Sequence, residues 1–182
     1  MGYELTRRHF FDLLHAYHPS SYETFGADDA RFSTPMYYAM KCRDRLHVAL
    51  KSGLRRLPFE KQTIVDLGPF PGSLLRLLRR LNYTHSAQLC GAGLMVSDEF
   101  VHFMQRDVQA DIHAVNLDPA GGQFQSKGYP EKVPLPDNSV QLVFALEIIE
   151  HLTSPFHLLS EAYRILGSGG HVVFTTPNVT RI

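Results

Sequence analysis

This 182-residue chain is short of cysteine, of net charge and of long apolar runs. Its two cysteines, Cys42 and Cys90, stand at no metal or redox spacing and form no disulfide framework, which excludes a stapled secreted scaffold and fits a reducing compartment. Eighteen basic residues balance eighteen acidic ones, so no global field draws the chain to nucleic acid or to an anionic membrane. No window approaches the length that spans a bilayer, and the N-terminus carries no apolar signal core. A cytoplasmic protein is predicted, without membrane or nucleic-acid partners. Ten histidines invite a metal, but His15 and His18 are followed at once by Pro19, and His9 is at the wrong angle to share their helical face. No metal site is predicted.

Both phosphate loops are absent as well. The first glycine-punctuated turn reads Gly68-Pro69-Phe70-Pro71-Gly72, with neither G-x-G-x-x-G nor a following Gly-Lys-Ser/Thr. Its two prolines remove two N–H donors and stiffen the turn, a poor way to cradle a pyrophosphate. A nucleoside without phosphates is the better ligand for it.

The remaining composition, 44% hydrophobic and 20% charged, is that of one compact globular domain. Residues 3 to 17 place Leu5, Phe10, Leu13, Leu14 and Tyr17 at helical spacing. Thr34-Pro35 opens a second, longer helix that stops at Pro58. Thr63 to Leu67 then reads as a buried strand, and Leu74, Leu75, Leu77, Leu78 and Leu81 as a helix whose Arg76, Arg79 and Arg80 form a solvated face. Further strands are predicted at 87–92, 112–117, 141–146 and 171–176, with helices at 98–107 and from Ser154-Pro155, the last ending before Gly167. A Gly- and Pro-rich loop spans Ala120 to Asp137, long enough to be mobile or functional. Strand and helix in alternation predict an α/β fold: a parallel sheet of at least five strands with helices on both faces, residues 59–182, behind an N-terminal helical cap, residues 1–58. In such sheets ligands sit at the carboxyl ends of the strands, against loop amides and a helix N-terminus.

Four stretches in order sharpen the reading: Val65-Asp66-Leu67-Gly68 through Gly72; Ile112 to Asp118; Leu135 to Leu152 with its Glu147-Ile148-Ile149-Glu150-His151; and Tyr163 to Gly170. Together, over about residues 60 to 178, they resemble the ordered motifs of class I S-adenosylmethionine-dependent methyltransferases, whose fold is Rossmann-like. The resemblance implies S-adenosylmethionine as cofactor, S-adenosylhomocysteine as product and a small-molecule acceptor. It places the cofactor's methionine part against Asp66, Gly68, Pro69, Phe70 and Gly72 and the strand end Ala145, Leu146 and Glu147, its ribose near Gly93 and Leu94, and its adenine amino group at Asp118.

Two departures stand out. Phe70 occupies the place of the family's central glycine, and Gly91-Ala92-Gly93-Leu94 lacks the acid that usually takes the ribose hydroxyls. Should the acceptor need a base, Glu147, Glu150 and His151 are the candidates, with His151 and Glu147 preferred. Tyr17, Tyr22, Tyr37 and Tyr38 could roof a substrate pocket. The family's two further strands have no counterpart before Ile182, so an open sheet edge and homo-oligomerisation through it are expected. The rival reading is a degenerate cofactor-binding domain that acts as a scaffold without turnover.

Overall fold

The computed structural model describes residues 3–16, 42–58, 60, 62–94, 96–121 and 128–177. The Thr34-Pro35 helix start, the four tyrosines, the centre of the Ala120–Asp137 loop and the last five residues lie outside them.

Helix α1 (Arg7–His15) is capped by Thr6, whose hydroxyl accepts from the His9 N–H at 3.2 Å; it buries Phe10 and Leu14. Helix α2 (Arg43–Leu54) turns Leu46, Ala49, Leu50, Gly53 and Leu54 inward, a stripe of helical period. Strand β1 (Thr63–Leu67) follows, then α3 (Ser73–Arg80), β2 (Gln88–Gly93), and α4 (Asp98–Phe103), which widens into a π-helical turn at Met104–Val108. Strands β3 (Ala110–Ala114) and β4 (Val140–Leu146) come next, then a 3₁₀ turn at Ile149–His151, helix α5 (Pro155–Ile165) and strand β5 (Leu166–Thr175).

All five strands are parallel, in the order β3-β2-β1-β4-β5. This is the parallel sheet that the strand–helix alternation predicted, in the Rossmann-like arrangement that the resemblance implied. The order reverses between β1 and β4, and that switch point opens a crevice at the strands' carboxyl ends. Side-chain alternation divides the interior in two. Ile64, Leu142 and Phe144 join α1, α2, α3 and α4 on one face; Val65, Leu67, Val143 and Ala145 join Leu158, Ala162 and Ile165 of α5 on the other. The N-terminal helices therefore share one core with the sheet.

Two expectations need correction. Strand β3 starts and ends earlier than its apolar run suggested, because Val115 and Leu117 are buried in the α5-side cluster from a loop, not from the ladder. Of the three arginines of α3, only Arg80 is exposed as a solvated face requires; Arg76 and Arg79 are not. Arg76 is 7% exposed, with its guanidinium 5.3 Å from the Phe103 ring centre. Arg79 donates to the carbonyls of Val108 (2.6 Å), Gln109 (2.7 Å), Ala87 (3.1 Å) and His85, and burial pulls its pKa down. Such a fork satisfies carbonyls that the π-helical turn and the approach to β2 leave open.

Candidate functional site

The cleft at the switch point is lined by Asp66, Gly68, Pro69, Phe70 and Pro71 after β1, Ser73 and Leu74 of α3, Leu146 of β4, and Arg45 and Leu46 of α2. With its open mouth included it spans about 360 Å³.

Within the turn, the backbone donors are nearly all committed. The Gly68 N–H donates to Ala92 O at 2.9 Å and the Gly72 N–H to Pro69 O at 2.6 Å; Pro69 and Pro71 have none. Phe70 alone keeps an N–H without an acceptor among the described residues. Its ring packs on Phe100, centres 5.8 Å apart. Gly72 precedes α3 at φ 90°, a conformation that favours glycine. A Cβ there would meet Met104 Sδ at 2.9 Å and Phe100 at 3.2 Å, so its lack of a side chain serves the packing of α3 on α4.

Asp66 is 4% exposed, and burial raises its carboxyl to about 7. A carboxyl left this dry without a compensating charge is unusual in a purely structural place. Glu147, just past β4, is held at φ 54°, rare for a residue with a side chain. Its N–H donates to Thr175 O at 3.0 Å, and its Oε2 lies 2.8 Å from Arg45 Nη1. Around the ends of β1, β4 and β5, three buried polar atoms have no hydrogen-bond partner among the described residues: Ser73 Oγ, Glu147 Oε1 and Thr175 Oγ1. Orphans of this kind carry a desolvation cost that a polar ligand relieves.

The other predicted residues are more dispersed. Gly93 lies under the turn, where a Cβ would meet Pro69 Cδ at 3.2 Å. Leu94 is half-buried in the bend after β2, and Ala145 is buried in the α5-side core. Asp118 sits before α5: its Oδ2 accepts from the Thr153 N–H at 2.7 Å and its Oδ1 from the Ser154 N–H at 3.1 Å. Burial opposes ionisation, yet these N–H groups and that of Gly121 prevail and hold its pKa below the usual carboxylate value. His151 projects into solvent, 76% exposed, with Nε2 4.0 Å from Glu150 Oε1.

Sequence reasoning missed Arg45, Ser73 and Thr175. An arginine inside an amphipathic helix reads as solvated until the fold lays that helix across the cleft.

The residues over 65–174 match the model of the methyltransferase domain family. The chain belongs to this family. Its cofactor is S-adenosylmethionine, and S-adenosylhomocysteine is what remains after transfer. A malonyl-[acyl-carrier protein] O-methyltransferase of Marinomonas sp. is 32% identical over 71% of this chain and 43% of its own length. Among solved structures, the methyltransferase bound to the Haloferax volcanii Trm112 activator superposes with a TM-score of 0.53 at 25% identity, over 88% of this chain and 62% of that one. The CurJ carbon methyltransferase gives 0.54 at 18% identity, over 83% and 40%. The chain thus spans less than half of the curated relative and less than two thirds of both structural neighbours.

The residues present fit one end of this cofactor. Asp66, Glu147 and Arg45 supply charges of both signs, and Ser73 Oγ and the Phe70 N–H open hydrogen-bonding groups, for an α-amino-acid moiety. At the end of β2, Pro69 packs over Gly91 and Gly93.

Proposed function

We propose that this chain carries the cofactor-binding half of a methyl transfer reaction to a small-molecule acceptor, with S-adenosylmethionine bound at the β1/β4 switch point. The observation that carries the reading is a group of buried polar atoms around the β1/β4 switch point and the adjoining end of β5: the Asp66 carboxyl, and Ser73 Oγ, Glu147 Oε1 and Thr175 Oγ1, these last three without a hydrogen-bond partner among the described residues. Bound there, the cofactor supplies an electrophilic methyl group on a sulfonium, and the protein's task is to hold the acceptor atom close and in line.

The residues favour an acceptor that is already nucleophilic when it arrives. Glu147 is tied to Arg45 and His151 stands in solvent, so neither preferred base is poised within a dry site. A carboxylate needs no base. The Marinomonas relative is named for O-methylation of a malonyl group, and carboxylic acids are accordingly the first acceptors to test. Asp118, although it caps α5, retains lone pairs for the adenine amino group.

The test is calorimetric titration with S-adenosylmethionine and S-adenosylhomocysteine, followed by mass-spectrometric detection of methyl esters across a panel of small mono- and dicarboxylic acids. Micromolar cofactor binding with ester formation is expected. Folded protein that binds neither cofactor form at millimolar concentration would overturn the reading, and binding without transfer to any acid, hydroxyl or amine acceptor would favour a scaffold.

A further inference from the structure

A second cleft lies between α3 and the π-helical turn after α4, and methyl transfer makes no use of it. Arg76, Arg79 and Arg80 line it from α3, and Phe103, Asp107 and Val108 from the opposite wall. With its open mouth included it spans about 580 Å³, against about 360 Å³ for the cleft at the switch point, and the two share no lining residue. Helix α3 joins them: Ser73 at its start belongs to the switch-point cleft and its three arginines to this one. We propose that the three-arginine cleft is a binding site for a phosphorylated small molecule, whose phosphate the guanidinium groups hold while its organic part lies against Phe103 and Val108.

Charge and burial together select an anion. Arg76 is only 7% exposed although it is a cation, and its guanidinium stands over the Phe103 ring, 5.3 Å from the centre. Arg79 gives four of its five N–H groups to the carbonyls of Val108, Gln109, Ala87 and His85. All four acceptors are neutral, and Arg79 makes no ion pair among the described residues, so its position is fixed while its charge stays uncompensated. Burial accordingly pulls its pKa down, a cost that a bound anion offsets. Arg80 is exposed and reaches Ala16 O at 2.5 Å through Nη1. Among the described residues the one acid in the lining, Asp107, is already engaged: Arg106 Nε and Nη2 lie 3.0 and 2.7 Å from its Oδ2. Tying carbonyls together explains Arg79 alone; it gives no reason for two further guanidinium groups at the same opening, where like charges repel. A phosphate dianion, which accepts through three oxygens, suits several forks at once better than a singly charged carboxylate does. The apolar wall of Phe103 and Val108 then favours a phosphate ester over the bare ion.

The experiment titrates the full chain with phenyl phosphate, inorganic phosphate and benzoate at physiological ionic strength, read by calorimetry and by amide NMR signals. Phenyl phosphate should bind most tightly, inorganic phosphate more weakly and benzoate most weakly. The signals of Phe103, Asp107 and Val108 should move while those of Gly68 and Phe70 stay in place. Arg80→Gln, at an exposed position, should weaken phenyl phosphate several-fold, and Arg76→Met by about 10- to 100-fold, the range of a charged hydrogen bond. Lys132→Gln, which removes an exposed cation beside Val133 of the α5-side core, should leave binding unchanged. Should Arg76→Met fail to fold by circular dichroism, Arg76→Lys keeps the charge without the fork, and an intermediate loss is expected. Absence of saturable binding at millimolar concentration, equal affinity for benzoate, signals that move at the switch-point turn instead, or equal effects of Arg80→Gln and Lys132→Gln would each overturn the site. S-adenosylhomocysteine binding, measured separately, is untouched by any of these outcomes.

Discussion

Pro69 rests directly on Gly91: a Cβ built at Gly91 would lie 2.7 Å from Pro69 Cβ and 2.7 Å from Ile112 Cδ1. The proline-rich turn after β1 and the glycine-rich end of β2 are thus two halves of one contact. The Gly68 N–H to Ala92 O bond, 2.9 Å, pins it from the backbone side.

The first prediction follows from that contact. Gly91→Ala forces a methyl group against two side chains and should cost about 1–3 kcal/mol by overpacking. Pro69→Gly in the same chain removes the proline Cβ, and with it one of the two clashes, and should restore part of the loss. Urea unfolding of both single variants and the double variant measures the coupling; strictly additive losses would separate the two residues.

Asp66 gives a pH dependence whose sign is fixed by the direction of its shift. Its folded-state pKa of about 7 lies above the ordinary 3.8, so the folded state holds the proton more tightly than the unfolded chain does. The associated stability is complete below about pH 4, falls as the pH rises through 7 and is absent above it. The full swing is on the order of 4 kcal/mol. Asp66→Asn should flatten the profile of unfolding free energy between pH 4.5 and 7.5, and an unchanged slope in that variant would move the effect to another group.

The same group should link cofactor binding to protons. An ammonium beside Asp66 favours its ionised form, so S-adenosylhomocysteine should bind more tightly as the pH rises from 5 to 7 and release protons on binding below 7. Calorimetry in buffers of different ionisation enthalpy reads that release directly, and zero proton release at pH 6 would detach Asp66 from the ligand's amino group.

Arg164 is a structural counterpart. It donates to Glu161 at 2.8 and 2.7 Å, to Asp137 at 2.7 Å, and to the carbonyls of Leu135 (2.9 Å) and Val133 (2.8 Å). Glu161 in turn accepts from the Val133 N–H at 2.8 Å, and the Arg164 side chain is what chiefly holds its pKa below the usual value. The pair therefore fastens the segment ahead of β4 to α5. Arg164→Met should cost about 3–5 kcal/mol, because Glu161, 6% exposed, is left without its cation. Chemical denaturation measures that loss, and faster proteolysis between Val133 and Asp137 should accompany it.

The thiols should differ sharply in reactivity. Cys90 is 1% exposed, and burial, with smaller contributions from Asp111 and Asp66, pushes it up to about 12; Cys42 is half-buried. At pH 8 iodoacetamide should label one site in the native chain and two after unfolding. Rapid native labelling at Cys90 would mean that β2 opens readily.

Local pattern was enough to determine the sequence of elements. The β-branched run at Thr63–Leu67, the leucine spacing of α3, the Ser154-Pro155 start of α5 and the turn glycines each state their structure within a dozen residues, because strand and helix periods are local properties. The order of the motifs carried the family and its cofactor in the same way. What only the tertiary structure decided are the pairings between distant residues. Asp118 meets the Thr153 and Ser154 amides 35 and 36 positions away, a placement no spacing reveals. Arg76 and Arg79, on a helix whose pattern reads as solvated, are buried because α4 and its π-helical turn pack over them. Arg45 and Glu147 become an ion pair only when the cap helix lies across the β1/β4 crevice. Charge and hydrogen bonding act through space, and the sequence records only the order of the groups along the chain.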